Sequence, residues 1–321
     1  YMLAFPLNPV PIDSIRPSLK GIILCVHAPL RETRRLFELC QSESWSRQSP
    51  PMPELPEVET TCRGIAPFVS GKIVSGAIVR EYRMRQPVTE RLPEILAGQS
   101  VRSVIRRAKY ILLQMDRGHL LLHLGMSGSM RIVDRETPPQ RHDHLDLLFG
   151  DVALRLRDPR RFGMVLWMEV PPAQHPLLSR LGPEPLGDHF NGTYLYQKSR
   201  GRRVAVKQFI MNAHIVVGVG NIYASEALFR AGIRPTRAAG RISKQRYLLL
   251  AEAIRSVLDE AIRQGGTTLR DFQRQDGRPG YFAQQLNVYG REGQACPSCG
   301  SAIRSLTIGQ RSSFFCEKCQ R

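Results

Sequence analysis

The chain has 321 residues, with 46 Lys and Arg against 28 Asp and Glu, a formal net charge of +18 and 42% hydrophobic residues. No apolar run reaches the roughly 18 residues needed to span a bilayer, so a soluble cytoplasmic protein is predicted. The basic excess favours a polyanionic partner, with nucleic acid as the first candidate and an anionic membrane surface as the second.

The first segment of the chain, residues 1–51, has many prolines, no sustained hydrophobic periodicity, and Tyr1 in place of an initiator Met. We interpret residues 1–52 as an extension that is disordered or absent from the mature protein, and we expect it to have no function. Only six Lys and Arg and four Asp and Glu precede Met52, so nearly all of the basic excess lies after it.

The sequence MPELPEVE at residues 52–59 supports two interpretations. Pro56 in a first helical turn, with acidic residues beside it, is typical of an ordinary helix start. If the chain began at Pro53, however, its nitrogen would be a secondary amine with the carboxyl of Glu54 next to it, which is a nucleophile beside an acid. Within the longer chain that nitrogen is only a tertiary amide. This segment alone favours the helix start.

The pattern of apolar residues predicts a helix over residues 55–69. Beyond it the period shortens to β-like runs, with turn signals at residues 116–118 and 150–151. These runs cover residues 73–82, 101–106, 110–115, 120–124, 145–149, 152–156 and 164–168. Such a series predicts an antiparallel sandwich or barrel.

The period becomes helical after the proline-rich residues 171–185, so a domain boundary is expected near residue 180. Helices are predicted over residues 204–211, 222–231 and 245–263, the last with Ser243 as its N-cap. Before the second of these helices, VGVGN forms a turn that only small residues make easily, and Asn221 is placed to cap the helix. A helix N-terminus also suits a phosphate, although a glycine pair alone is typical of an ordinary corner.

Four of the seven cysteines form two C-x2-C pairs near the end of the chain. A redox pair or two disulfides would be the alternative, but two equal spacings in a reducing compartment favour one closed, structural Zn²⁺ site. Residues 307–313, between the pairs, predict a hairpin with Gln310 and Arg311 at its tip. The roles of Cys25, Cys40 and Cys62 stay open. The predicted zinc ligands are Cys296, Cys299, Cys316 and Cys319.

Five separated motifs after the first one stand in an order that resembles the formamidopyrimidine-DNA glycosylases, bacterial enzymes that excise oxidised purines. They are RAKY at 107–110, HLGMSG at 123–128, DPRRFG at 158–163, VGVGNIYASE at 217–226 and the four-cysteine cluster. The resemblance implies an α+β fold, in which a helix and an N-terminal antiparallel β-sandwich precede a helix-two-turn-helix domain and a zinc ribbon. The implied domains cover residues 53–180, 181–285 and 286–321.

The resemblance assigns the chemistry to four residues. Pro53 would attack the sugar C1′ and form an imine that permits β- and δ-elimination, while Glu54 would protonate the ring oxygen. Desolvation beside DNA would favour the neutral acid that this step needs. Lys109 would be a catalytic lysine near the damaged nucleotide, and Arg311 would assist the final elimination. Glu57 is better assigned to holding the proline segment than to chemistry.

The same resemblance assigns DNA contacts to His142, Arg160, Arg202, Lys207 and Asn221, with Arg202 standing where the family has a lysine. Met126, Arg160 and Phe162 match the trio that fills the gap left by an extruded nucleotide, where inserted side chains replace part of the lost stacking. A place in the core is the alternative for the Met and the Phe. The glycine-rich residues 265–268 and 276–282 would cap the flipped purine, or would be a plain connector.

The implied activity is base-excision repair of 8-oxoguanine and formamidopyrimidines in double-stranded DNA, by a cytoplasmic, nucleoid-associated monomer without membrane contact. An endonuclease VIII-like glycosylase for oxidised pyrimidines is the nearest alternative, which Leu55 and the gap-filling trio disfavour. A catalytically silent zinc-ribbon DNA-binding protein is the second alternative. It applies if the extension is retained, because Pro53 then lacks a free amine.

Overall fold

The computed structural model describes residues 53–265 and 286–321, and the segment Pro50–Arg321 is a compact unit. The interpretation of the extension falls outside the described residues, as does that of the glycine-rich loop apart from Gly265. In the part of the chain that the structure describes, no helix is both long and apolar enough to cross a membrane.

The first helix, α1, covers Leu55–Val69, as the apolar spacing predicts. Its stripe of Val58, Cys62 and Ile65 is buried against the sandwich. Pro56 lies in its first turn, where the missing N–H costs nothing because no helical carbonyl precedes it. The two residues just before this helix, Pro53 and Glu54, are buried as well.

Two four-stranded antiparallel sheets form the sandwich, with strand orders β1-β6-β7-β5 and β2-β3-β4-β8. The strands are β1 Gly76–Val79, β2 Val101–Arg107, β3 Tyr110–Met115, β4 Gly118–His123, β5 Ser129–Asp134, β6 Asp143–Phe149, β7 Val152–Arg157 and β8 Met164–Met168. Alternate residues of both sheets point into one shared core, as the two-residue period of a strand requires. They include Ile111, Leu113, Leu120, Leu122, Leu145, Leu147, Leu154 and Leu156. The predicted antiparallel sandwich is confirmed.

Four helices and strands of the described residues were not predicted. They are strand β5, the short helices α2 at Leu92–Leu96 and α3 at Pro176–Ser179, and the helix α4 at Gly192–Ser199. The run predicted over residues 73–82 forms a strand only at Gly76–Val79. The overall α+β architecture is unaffected, because α2 and α4 lie outside the two sheets and β5 pairs with β7 at the edge of one sheet.

A second core is made by helices. They are α4, α5 at Val206–Met211, α6 at Asn221–Arg230 and α7 at Lys244–Gly265, whereas Leu178 of α3 packs with Leu112, Leu121 and Met168 of the sandwich. The Oγ of Ser243 accepts a hydrogen bond from the Arg246 N–H at 3.4 Å, so the predicted cap of α7 is present. Helices α5 and α6 are joined by residues 212–220, the segment that contains the VGVG sequence.

The last unit is a hairpin of β9 (Arg304–Ile308) and β10 (Arg311–Phe315). Its two turn residues, Gly309 and Gln310, both have positive φ, at 54° and 62°, which is the pattern of a two-residue type I′ turn. The small core beneath the hairpin includes Phe229 from α6. The hairpin is therefore packed directly against the helical core, with Arg311 next to the turn.

Candidate functional site

Glu54 is buried at the N-terminus of α1, with 2% of its surface exposed. Its carboxylate reaches the N-terminus of α6, where Oε1 accepts a hydrogen bond from the Ile222 N–H at 3.0 Å and Oε2 accepts from the Tyr223 N–H at 3.5 Å. Free amides at a helix N-terminus favour an anion, so Glu54 acts as the cap of α6. The expectation that Asn221 caps this helix is wrong, because Gly220 is the N-cap and Asn221 turns its amide elsewhere.

The two glycines of VGVG make room for the start of α1. A Cβ placed on Gly220 would lie 2.0 Å from the Glu54 Cδ, and one on Gly218 would lie 2.4 Å from the Leu55 Cδ1. Gly218 also has a φ of +79°, and its carbonyl accepts a hydrogen bond from the Leu55 N–H at 3.3 Å. Small residues here are therefore required by a close approach between α1 and the turn before α6.

Glu57 holds the proline segment in place. Its Oε2 accepts a hydrogen bond from the Glu54 N–H at 2.8 Å, and its Oε1 accepts one from the Tyr223 hydroxyl at 2.6 Å. The first contact is half of a capping box, and the second ties α1 to α6. The structural role predicted for Glu57 is confirmed. The sequence did not predict this role for Tyr223, because a tyrosine in an apolar helix is normally interpreted as a core residue.

Charges converge around the Glu54 carboxyl. Burial raises the pKa of Glu54 above its ordinary value, while nearby Lys109 opposes the rise and Glu57 adds to it. Burial lowers the pKa of Lys109, against the effect of the two glutamates, and Arg311 lowers it further. The structure thus brings two of the other predicted chemical residues, Glu54 and Arg311, within electrostatic reach of Lys109. Pro53, directly before Glu54, is buried.

Lys207 lies in a buried polar junction beside this site, with 1% of its surface exposed. Its ammonium donates to Asn221 Oδ1 at 2.7 Å, to Ser313 Oγ at 2.8 Å and to the Ser312 carbonyl at 3.1 Å. Burial lowers the pKa of Lys207 to about 8, a change that Glu54 opposes. Lys207 and Asn221 therefore join α5, α6 and the hairpin, and their contact with phosphate stays a prediction.

Met126, Arg160 and Phe162 lie on two loops that are held together. A Cβ on Gly125 would meet the Phe162 carbonyl carbon at 2.5 Å, and the Ser127 hydroxyl donates to Asp158 Oδ1 at 2.7 Å. The Arg160 guanidinium lies 4.8 Å from the centre of the Phe162 ring. Phe162 is 44% exposed and Met126 is partly exposed, so neither is a core residue. The gap-filling role stays a prediction.

The two remaining predicted DNA ligands lie at loop positions. The His142 carbonyl accepts a hydrogen bond from the Asp158 N–H at 3.0 Å, which places this histidine beside the loop of Arg160. Arg202 is exposed in the turn between α4 and α5, where its carbonyl accepts from the Gly240 N–H at 2.9 Å. Both side chains are accessible to a ligand outside the protein.

Backbone strain marks the same region. In the described ranges, the non-glycine residues with positive φ are Ala108 at 54°, His142 at 75°, Arg161 at 56° and Gln310 at 62°. Each is a predicted site residue or the direct neighbour of one. Positive φ costs free energy for residues with a Cβ, and such strain is held by the surrounding structure and is frequent at functional sites. Periodicity in the sequence gave no signal of this strain.

The four predicted zinc ligands form one cluster. Their sulfur atoms all lie within 4.8 Å of one another, with 3.5 Å between Cys299 and Cys316 and 3.9 Å between Cys296 and Cys319. Four thiolates bound at ~2.3 Å around a tetrahedral Zn²⁺ would stand about 3.8 Å apart. The cluster fits one structural zinc ion, and the predicted cofactor is confirmed.

Comparison with known proteins gives the family of this chain. Family models match over three stretches, as the formamidopyrimidine-DNA glycosylase N-terminal domain at residues 52–165, its H2TH domain at 181–273, and the zinc finger found in FPG and IleRS at 293–321. The formamidopyrimidine-DNA glycosylase of Syntrophotalea carbinolica is 61% identical over 271 residues, which are 84% of this chain and all of that protein.

Two solved structures are similar to this chain. One is the Lactococcus lactis enzyme in complex with DNA containing Fapy-dG, at 29% identity and a TM-score of 0.75. The other is a MutM in complex with DNA containing carbocyclic 8-oxo-G, at 30% identity and a TM-score of 0.75. Each similarity covers 84% of this chain and 100% of the other. With a family model over each part, and a relative this close over its whole length, the chain belongs to the formamidopyrimidine-DNA glycosylase family.

Proposed function

We propose that this protein is a base-excision repair glycosylase with abasic-site lyase activity, acting on oxidised purines such as 8-oxoguanine and formamidopyrimidines in duplex DNA. The observation that carries the proposal is the environment of the Glu54 carboxyl. A carboxyl with a raised pKa lies directly after Pro53 and is held by the amides of α6. Such a group remains a proton donor at a pH where an exposed carboxylate is not one.

In the proposed reaction the amine of Pro53 attacks the sugar C1′, and the bond to the damaged base breaks. Glu54 delivers its proton to the ring oxygen as the bond from that oxygen to C1′ breaks, so the opened sugar remains joined to Pro53 as an iminium ion. The iminium acidifies the adjacent C2′, and loss of a C2′ proton expels the 3′ phosphate. Loss of a second proton, from C4′, then expels the 5′ phosphate. Lys109 and Arg311 act beside the sugar and the phosphates in these later steps, because Lys109 lies within electrostatic reach of both Glu54 and Arg311.

The remaining residues bind DNA and support the site. His142, Arg160, Arg202, Lys207 and Asn221 are the proposed phosphate and sugar ligands, and Met126, Arg160 and Phe162 fill the gap left by the extruded nucleotide. Zn²⁺ held by the four cysteines would supply folding energy to the hairpin that carries Arg311. Four thiolate ligands would leave no open position for catalysis by the metal. Binding to chromosomal DNA would place the protein, as a monomer, with the bacterial nucleoid.

Two alternatives differ in specific ways. An enzyme for oxidised pyrimidines is disfavoured, because the solved relatives above were bound to Fapy-dG and 8-oxo-G DNA. A catalytically silent DNA-binding protein is favoured only if residues 1–52 stay attached. In that case the Pro53 nitrogen is an amide and has no lone pair available for attack. The domain limits 53–180, 181–285 and 286–321 stay a prediction.

Borohydride trapping tests the proposal. A protein that begins at Pro53 has an amine with a reference pKa near 8, so a sizeable fraction is unprotonated at neutral pH. We expect it to be trapped covalently on 8-oxoguanine and abasic DNA, whereas the uncleaved 321-residue chain binds DNA without being trapped. Both N-termini are confirmed by intact mass beforehand. Equal trapping by the uncleaved chain would show that another amine, with Lys109 as the first candidate, is the nucleophile.

A further inference from the structure

The turn that carries Lys109 is held from outside the sandwich. Strands β2 and β3 pair as far as Arg107 and Tyr110, so Ala108 and Lys109 form a two-residue turn. Ala108 takes a φ of +54°, a conformation that a residue with a Cβ disfavours. Its N–H donates to Glu184 Oε1 at 2.8 Å. Glu184 belongs to the segment between the sandwich and the helical core.

Two arginines complete the cluster around this acid. Arg107 Nη1 donates to Glu184 Oε1 at 2.7 Å, and Arg106 Nη1 donates to Glu184 Oε2 at 2.6 Å. Both oxygens of the carboxylate are therefore occupied within the protein. The Glu184 side chain is only 25% exposed. A carboxylate that accepts three hydrogen bonds from the turn and its neighbours is a support for the turn.

The same cluster extends to α1. Arg106 Nε donates to Glu59 Oε2 at 2.7 Å, and Arg106 Nη1 also donates to the Ala108 carbonyl at 3.0 Å. The side chain of Arg106 is 10% exposed, and ion pairs with little solvent keep defined geometry. Glu184 thus connects the Lys109 turn with the helix that begins beside Pro53.

We infer that Glu184 is a positioning residue for Lys109, which fixes the strained turn so that the Lys109 ammonium meets the sugar of the damaged nucleotide. This inference rests on the proposed function, in which Lys109 acts at that sugar. Three donors converge on Glu184, and only a carboxylate offers two acceptors to them. The amide of a glutamine would turn one NH₂ group towards a donor.

The test uses zinc-loaded protein that begins at Pro53 and measures single-turnover excision from 8-oxoguanine duplex. We expect Glu184→Gln to lower the rate roughly 10- to 100-fold, as small misplacements of catalytic groups do. DNA affinity and zinc content should not change. Glu184→Asp keeps the negative charge but shortens the side chain by one methylene group, so the excision rate should fall in this variant as well. Asp188→Asn, an exposed acid of the same segment, is the matched control and should keep the wild-type rate.

A double-mutant cycle separates positioning from general stabilisation. If Glu184 works through Lys109, Glu184→Gln should cost nothing further in Lys109→Ala protein, since coupled residues are not additive. Ala108→Gly should restore part of the rate to Glu184→Gln, because glycine adopts positive φ unaided.

A wild-type rate in Glu184→Gln, or an equal loss with and without Lys109, would overturn the inference. If the wild-type protein itself releases no base, the proposed function fails instead.

Discussion

At the scale of single residues, Glu54 has two uses that oppose each other. As the cap of α6 it accepts two backbone N–H groups, which favours the carboxylate, whereas burial favours the neutral acid. Burial dominates, so the pKa is raised and Glu54 keeps its proton to a higher pH than an exposed glutamate does. The neighbours of Glu54 therefore decide both where its carboxyl lies and at what pH it can donate.

Gly220 is the neighbour that decides where the carboxyl lies. We expect Gly220→Ala to reduce base excision by roughly 100-fold, because the new Cβ would fall 2.0 to 2.3 Å from the Glu54 carboxyl atoms and displace them. Single-turnover excision, with zinc content as a check on folding, measures the effect. Gly76→Ala is the control, since its nearest neighbour, Leu148 Cδ1, lies at an ordinary 3.5 Å. Normal activity in Gly220→Ala would mean that the carboxyl is not needed at this position.

Glu57 influences the pH at which Glu54 donates. The raised pKa keeps Glu54 protonated above its ordinary 4.5, so excision should decline on the alkaline side as this proton is lost. The charge of Glu57 contributes to the rise, and Glu57→Gln should therefore move the alkaline decline to lower pH. A pH–rate profile of excision shows the shift. The exposed Glu90→Gln should leave the profile in place, and a shift to higher pH in Glu57→Gln would contradict the electrostatic argument.

At the scale of elements, the two loops of Met126 and Phe162 behave as one exposed wedge. Met126→Ala should weaken excision from duplex DNA and cost little stability, because a partly exposed side chain loses few contacts when shortened. Met130, four residues further on, is buried in the core at 4% exposure, and its replacement by Ala should cost about 2–5 kcal/mol. Thermal melts beside duplex cleavage compare the two variants. A large loss of stability in Met126→Ala would show that this side chain is packed in the core instead.

The zinc ribbon is a second separable element. We expect about one Zn²⁺ per chain, and Cys316→Ser should unfold the hairpin and abolish DNA binding while the sandwich stays folded. The cause is that the metal supplies most of the folding energy of so small a core. Metal analysis, circular dichroism and DNA titration measure the three effects. Cys62→Ser, on α1, should keep its zinc. Normal DNA binding by the Cys316 variant would refute the assignment.

Periodicity predicted elements that follow the simple rule of apolar inside and polar outside. The sandwich strands and α1 obey it, whereas β5 carries Arg131, which is buried and paired with Asp143 at 2.9 Å. A buried ion pair looks like a solvent face in the sequence, so this strand was missed. The hydrogen bond between Glu54 and Ile222 could not be predicted for another reason. The two residues lie 168 positions apart in the chain, and only the fold brings them together. The site residues came from the motifs, and their arrangement came from the structure.

At the scale of the whole molecule, the net charge of +18 governs how DNA is approached. Binding that releases counterions weakens as salt rises, and each cation on a phosphate contributes roughly 0.9 to the slope of log affinity against log salt. Arg202→Ala should reduce that slope by about this amount on undamaged duplex. Arg263 is an exposed residue in the last turn of α7, and its replacement by Ala is the control, which should leave the slope unchanged. An unchanged slope for Arg202 would remove it from the phosphate contacts.

The residues with positive φ have a consequence for the history of the sequence. Glycine at Arg161 or Gln310 would relieve a cost of about 1 kcal/mol at each position, so stability alone would favour the exchange. A population selected only for thermal endurance would be expected to acquire these glycines early, and the more flexible backbone would then hold the neighbouring Arg160 and Arg311 less firmly. A population selected for a low mutation rate would keep the strained residues and accept a lower melting temperature. These two positions are therefore where the two selection pressures oppose each other within one chain.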